Sequence, residues 1–198
     1  NKLYDAMLGE IVKENPTITF LTGVAGSGKS TATRRYSKEL NNRGLVYDSA
    51  LNKYGKLDKL IKYAQEKGIK DVEVIAVYND PITAFKNTIA RGARNDKSLP
   101  NGNGRLVPLQ YFIKSFEENN GKIQQLYDNY NDKINIRAID NTDNQAKEVT
   151  VQEAIKWNYQ LTDEQKEELY NIVINNTLLS DERKDKLLPI VEYALKQK

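Results

Sequence analysis

The sequence predicts an α/β protein of three layers, a short and mostly parallel sheet between helices, with further helices at the C-terminal end. Three observations predict it. Short β-branched and aromatic runs alternate with helix-length amphipathic stretches between residues 17 and 139. Strands separated by helices of this length pair in parallel through right-handed crossovers. Beyond Val151 only helical patterning remains. A chain of 198 residues with 39% hydrophobic content suffices for one such core and a modest extension.

The elements follow in order. Leu3, Met7, Leu8, Ile11 and Val12 recur near a helical repeat, so residues 1–15 read as an N-terminal helix closed before Asn15-Pro16. Residues 17–22 are too short for a stable helix and rich in β-branched residues, which makes them the first buried strand. After a glycine-rich turn, a helix is expected from Lys29 to Asn42, with Gly44 as its left-handed terminator. Residues 45–48 form a second strand, and Leu57, Leu60, Ile61 and Ala64 mark a helix stopping at Gly68.

Residues 72–78 carry the strongest strand pattern in the chain. Asp80 as N-cap and Pro81 at the first helical position then open a helix with Ile82, Phe85 and Ile89 on one side. Residues 93–107 are polar, glycine-containing loop. Pro108 starts a helix through Phe112 and Phe116 that Gly121 can interrupt, and residues 134–139 read as the last strand. Residues 140–150 have no strong pattern and are the expected linker between a unit spanning 16–145 and a helical extension spanning 150–198. In that extension Thr162 and Ser180 are candidate caps, for helices over 162–175 and 181–197.

Composition removes several chemistries. With no Cys and no His, the chain can form no disulfide, Cys/His zinc site, thiol nucleophile, Ser-His triad or histidine base. Acid and base work falls to Asp, Glu, Lys or Tyr. The 30 basic residues exceed the 27 acidic ones by only three, so overall charge points to neither nucleic acid nor membrane. No apolar run is long enough to span a bilayer and the start lacks the order of a signal peptide, so a cytoplasmic location is expected. Residue 1 is Asn rather than Met, as expected of a processed chain or part of a longer phage or mobile-element polypeptide.

The residues Gly23, Val24, Ala25, Gly26, Ser27, Gly28, Lys29 and Ser30 match the P-loop string of Gly, four residues, then Gly-Lys-Ser/Thr. The string lies between a predicted strand and a predicted helix, the context it requires, and so makes the expected fold that of a P-loop NTPase or kinase. Glycines let successive backbone N–H groups converge on phosphate oxygens, and the helix beyond adds its positive end. Lys29 is expected to reach the β- and γ-phosphates of ATP or GTP, with Ser30 as the Mg²⁺ ligand and Thr31 closing the loop.

Arg91, Arg94, Lys97 and Arg105 crowd the polar stretch that follows, opposed there only by Asp96, and glycines at 92, 102 and 104 suit a mobile lid. Guanidinium groups complement a transferring phosphoryl because they keep their charge and offer paired donors. A kinase without histidine also needs a carboxylate for the acceptor hydroxyl, best placed at the C-terminal end of a strand beside the P-loop strand. Asp48 occupies such an end. Asp80 is the competitor, although Pro81 makes it a better helix cap, and Asp140 follows the last strand.

With these pieces in order the sequence resembles the zeta toxin family of P-loop small-molecule kinases, over about residues 17–140. Arg91-Gly-Ala-Arg94 followed by Gly104-Arg105-Leu-Val-Pro108 resembles the family's lid pattern, and Tyr47-Asp48-Ser49-Ala50-Leu51 its acid-bearing segment. The resemblance implies phosphorylation of a UDP-activated amino sugar by ATP, and control by a helical antitoxin. It also exposes a departure. Family enzymes usually place a further strand with a catalytic aspartate between the P-loop helix and this acid, whereas here the helix leads almost directly into Leu45. Asp48 therefore either matches the substrate-contacting acid, with the general base absent, or serves both roles.

Three functions compete on these residues. The first is a kinase acting on a small-molecule hydroxyl through Lys29, Asp48, Arg91, Arg94 and Arg105. The second is a nucleotide-binding regulatory module of a larger protein, which would not need Asp48. The third is a polynucleotide 5′-hydroxyl kinase, for which the lid arginines are the one candidate strand-binding feature and aromatic stacking platforms are sparse.

Overall fold

Five strands, β1 (Thr17–Thr22), β2 (Leu45–Asp48), β3 (Asp71–Tyr78), β4 (Asn135–Asp140) and β5 (Lys147–Val149), form one sheet in the computed structural model, ordered β2-β1-β3-β4-β5. The structure describes residues 16–40, 43–49, 51–93, 106–177 and 179–187. The first four strands are parallel and β5 runs antiparallel to β4. The strand carrying the glycine loop thus lies inside the sheet, flanked by β2 and β3, with β2 at the edge.

Alternation along the strands divides their side chains between two faces. Ile18, Phe20, Val72, Val74, Ala76 and Ala138 share a core with helices α3 (Tyr54–Glu66) and α6 (Lys122–Tyr130). Leu21, Ile75, Val77 and Ile139 pack on the other side with Ala32 of α1 (Lys29–Arg35) and Leu40 of α2 (Ser37–Leu40). The expected single helix from Lys29 is interrupted at Tyr36, whose backbone leaves helical geometry, although hydrogen bonds continue through Tyr36 N–H to Ala32 and Leu40 N–H to Tyr36.

A third cluster joins α4 (Pro81–Ala93) and α5 (Leu109–Glu117) to the C-terminal helices. Phe85 and Phe112 pack with ring centroids 5.0 Å apart, and Leu169 and Val173 of α8 (Asp163–Ile174) complete that core. Local rules set the boundaries of these helices. Asp80 Oδ1 accepts from Thr83 N–H to open α4, and Gly121, at a φ of 67°, separates α5 from α6. Thr150 with Glu153 and Thr162 with Gln165 form capping boxes that start α7 (Val151–Ile155) and α8. The short α9 (Asp181–Leu187) follows Ser180.

One expectation is corrected. Residues 140–150 are not a plain linker, because Lys147–Val149 turns back along β4 and Arg137 forks onto the Glu148 carboxylate through two hydrogen bonds of 2.8 Å. Polar cross-strand pairing of this sort leaves no apolar pattern to read. The expected helix at 3–14 and the lid residues 94–105 lie outside the described residues, as does the expected helix at 181–197 beyond Leu187. No helix among the described residues is long and apolar enough to cross a membrane.

Candidate functional site

Parallel strands direct their C-terminal ends to one edge of the sheet, and ligands of open α/β folds bind along that edge. At this edge β1 ends in Thr22 and runs into the loop from Gly23 to Gly28, while β2 ends beside it, Asp48 pairing in register with Leu21.

Close approach explains two of the motif's glycines. Gly23 has a φ of 149°, and a Cβ there would collide with the Val77 carbonyl of β3 and with Ser27 Oγ. Gly28 has a φ of 96°, and a Cβ there would meet the side-chain amide of Asn141. Two asparagines brace the loop from outside. Asn87 Nδ2 in α4 donates to the Gly26 carbonyl and Asn141 Nδ2 to the Ser27 carbonyl, each at 3.1 Å. Asn141 is held in turn by its own N–H to Tyr78 O and by Ala146 N–H to its Oδ1. The loop then enters α1 at Gly28, where no side chain caps the helix.

Lys29 reaches back over the loop, its Nζ donating to Gly23 O at 2.8 Å and Val24 O at 3.1 Å. Burial lowers its pKa below the ordinary lysine value; Asp48 raises it again and Arg91 lowers it further. Asp48 and Ser30 are exposed, as is Arg91 in the last turn of α4. Arg94 and Arg105 lie outside the described residues.

The other two acids have structural occupations. Asp80 caps α4, as Pro81 leads one to expect, and Asp140 Oδ1 accepts from the backbone and hydroxyl of Thr142 in a tight turn. Both still face Tyr78, whose phenol is pushed up by burial and by the two carboxylates.

The residues present suit a triphosphate tail. The buried Ser27 Oγ inside the loop has no hydrogen-bond partner, and Lys29 Nζ is held against the loop by two backbone carbonyls that phosphate oxygens can replace. No group of three or more carboxylates among the described residues is placed to hold a metal by itself. The single hydroxyl of Ser30 fits a Mg²⁺ that takes its remaining ligands from water and phosphate.

Two features escaped sequence reasoning. Asn141 lay in the stretch read as linker. Lys122 is 2% exposed although lysine normally lies at the surface. Its Nζ donates to Thr22 Oγ1 at 2.7 Å, to Leu51 O at 3.0 Å and to Asn119 Oδ1. Burial, with a smaller contribution from Lys29, lowers its pKa to about 7. The available signal was its place on the apolar stripe of α6, one turn before Leu126 and two before Tyr130.

Comparison with known proteins adds to this geometry. The zeta toxin family profile matches residues 41–144, from the approach to β2 through Asp48, Arg91 and β4. The match begins after the glycine loop, so the loop is identified by its own string and geometry. No curated protein matches the chain significantly. Among solved structures, the native crystal structure of an AvrRxo1-ORF1:-ORF2 complex is similar in fold, with a TM-score of 0.57 and 16% identity over 99% of this chain and 82% of that one.

Proposed function

The chain belongs to the zeta toxin family, and from that premise we propose that it is a P-loop kinase that transfers the γ-phosphoryl of ATP to a hydroxyl of a small molecule. The observation that carries this reading is that Asp48 closes β2 in register with Leu21, on the strand that runs into the glycine loop over which Lys29 folds back. A loop alone binds phosphate; a carboxylate and a guanidinium beside its lysine are what transfer requires.

In this reading the backbone from Gly23 to Thr31 cradles the phosphates, and Ser30 holds Mg²⁺. Mg²⁺, when bound there, would supply positive charge that offsets the negative charge of the phosphates. Lys29 exchanges its two loop carbonyls for phosphate oxygens. Asp48 orients the acceptor hydroxyl in line with the γ-phosphorus and takes its proton as the O–P bond forms and the bond to the bridging oxygen of ADP breaks. Arg91, joined by Arg94 and Arg105, neutralises charge on the transferring group. We assign Asp48 both acidic roles, because the other strand-end acids are engaged elsewhere, Asp80 as the cap of α4 and Asp140 in the turn at Thr142.

The acceptor class follows the family: a UDP-activated amino sugar. A helical antitoxin is the proposed partner and the cytoplasm the proposed compartment. The test is incubation with labelled ATP and a panel of nucleotide sugars, nucleosides and 5′-hydroxyl oligonucleotides. Transfer to a nucleotide sugar, lost in Lys29→Ala and Asp48→Ala, is expected. Tight ATP binding with transfer to no acceptor would overturn the reading in favour of a regulatory nucleotide-binding module.

A further inference from the structure

Lys122 is a buried charged side chain that this chemistry does not use. An ammonium inside a protein is costly unless its protons are taken up, and a carboxylate usually does this. Here three neutral acceptors take one proton each, from three separate parts of the chain. Thr22 is the last residue of β1, immediately before Gly23. Leu51 lies three residues beyond Asp48. Asn119 belongs to the junction between α5 and α6, and its own Nδ2 is tied to the Ser115 carbonyl at 2.6 Å.

The contacts close on themselves. Thr22 Oγ1 accepts from Lys122 and donates its hydrogen to Leu51 O at 2.8 Å, while Leu51 O also accepts from Lys122. Pairing between β1 and β2 ends at Leu21 and Asp48, so no ladder holds the two segments beyond that point. The Lys122 triangle begins there. Thr22, Leu51 and Asn119 are each fully buried, so water cannot readily replace any of these bonds.

We propose that Lys122 is a positioning residue for the acceptor side of the site, locking the segment that leaves Asp48 to the strand that enters the phosphate loop. It touches neither phosphate nor acceptor. Its work is to fix the distance between the acid and the nucleotide, which the short edge strand β2 does not fix alone. A methionine would fill the same space and leave Thr22 and Leu51 joined only by their own hydrogen bond, with the tie to Asn119 gone. The catalytic part of this inference rests on the kinase reading; the lock does not.

The experiment compares the full chain with Lys122→Met by hydrogen exchange, ATP calorimetry and phosphoryl transfer from labelled ATP to UDP-N-acetylglucosamine. Expected are faster exchange in a peptide spanning Tyr47 to Tyr54, ATP affinity within about threefold of the parent, and a fall in transfer of about 100-fold, the scale of an ångström-level misplacement. Should Lys122→Met fail to fold, the pair Thr22→Val and Thr22→Ser tests the triangle as a whole, since the valine removes both the acceptor for Lys122 and the direct bond to Leu51. The valine should reproduce the loss and the serine, which keeps the hydroxyl, should restore it.

Unchanged exchange between Tyr47 and Tyr54 in a folded variant would overturn the lock. Parent-like transfer in that variant would overturn the positioning role. A parent protein that binds ATP but transfers to no acceptor in the wider panel defeats the kinase reading instead, and the exchange result still decides the lock.

Discussion

Asn141 donates its side-chain amide to the carbonyl of Ser27 at 3.1 Å, so the residue immediately after β4, two strands away from β1, holds the glycine loop. The same amide fills the space that a side chain at Gly28 would need. Asn141→Ala removes this donor and leaves Ser27 O and Ala146 N–H without their partner in a buried setting. A loss of roughly 1–3 kcal/mol in unfolding free energy is expected, with weaker nucleotide binding. Urea denaturation and calorimetry with Mg²⁺·ATP measure the two. Parent-like values for both would remove Asn141 from the loop's support.

Lys29→Ala and Asp48→Asn separate binding from chemistry. Lys29 is half-buried and its partners are loop carbonyls, so its removal should lower ATP affinity and transfer together. Asp48 is exposed and leaves the loop's own contacts intact, so Asp48→Asn should keep ATP affinity while transfer falls by about 10²–10⁴, the usual range for a lost general base. Equal loss of affinity in both variants would show that Asp48 serves the fold of the loop and not the acceptor.

The parts that could be read from the sequence are those whose information is local. The β-branched run at 17–22, the Asp80-Pro81 start of α4, the Gly121 break and the glycine loop each carry their own conformational rule, and each stands where it was expected. Long-range partners could not be read this way. Asn141 lies 114 residues from Ser27, and Asn87 lies 61 from Gly26, so nothing near the motif announces its braces. β5 has three residues and is held by the Arg137–Glu148 ion pair, which no periodicity encodes. Lys122 was hidden by its type, because its burial depends on three acceptors brought in by other elements. The candidate site was therefore legible as a glycine loop with Asp48 at the end of the neighbouring strand, and illegible as a supported structure.

Burial of Lys122 also predicts a pH dependence of stability. Its pKa of about 7 in the folded protein lies below the ordinary 10.5, which the unfolded chain recovers. Between those values the unfolded state binds more protons, so unfolding free energy rises with pH across the window and falls as the solution is brought back toward 7. Below about 7 this contribution is constant. Lys29, the other cation acting on Lys122, is also lowered by burial and adds a slope of the same sign. Denaturation of the parent and of Lys122→Met at pH 7 and 9.5 should show a rise that is smaller in the variant by on the order of a few kcal/mol. Equal slopes in the two proteins would mean that the ammonium is not desolvated as its surroundings imply.

The C-terminal helices are predicted to be part of the stability of the sheet-bearing core and not a detachable cover. Leu169 and Val173 of α8 are fully buried in the cluster that holds Phe85 of α4 and Phe112 of α5, and α4 carries both Asn87, which braces the loop, and Arg91. Arg183 of α9 adds a hydrogen bond of 2.9 Å to the Gly92 carbonyl at the end of α4. Leu169→Ala should cost about 2–5 kcal/mol through the cavity it opens. Arg183→Ala should cost about 1 kcal/mol, the worth of a partly exposed hydrogen bond. Thermal melts of both variants, with and without Mg²⁺·ATP, test the connection. If the helices support the site through α4, ATP should raise the melting temperature of Leu169→Ala less than that of the parent at equal nucleotide concentration. An equal rise would place the helices outside the nucleotide site's energetic reach, whatever their share in the core.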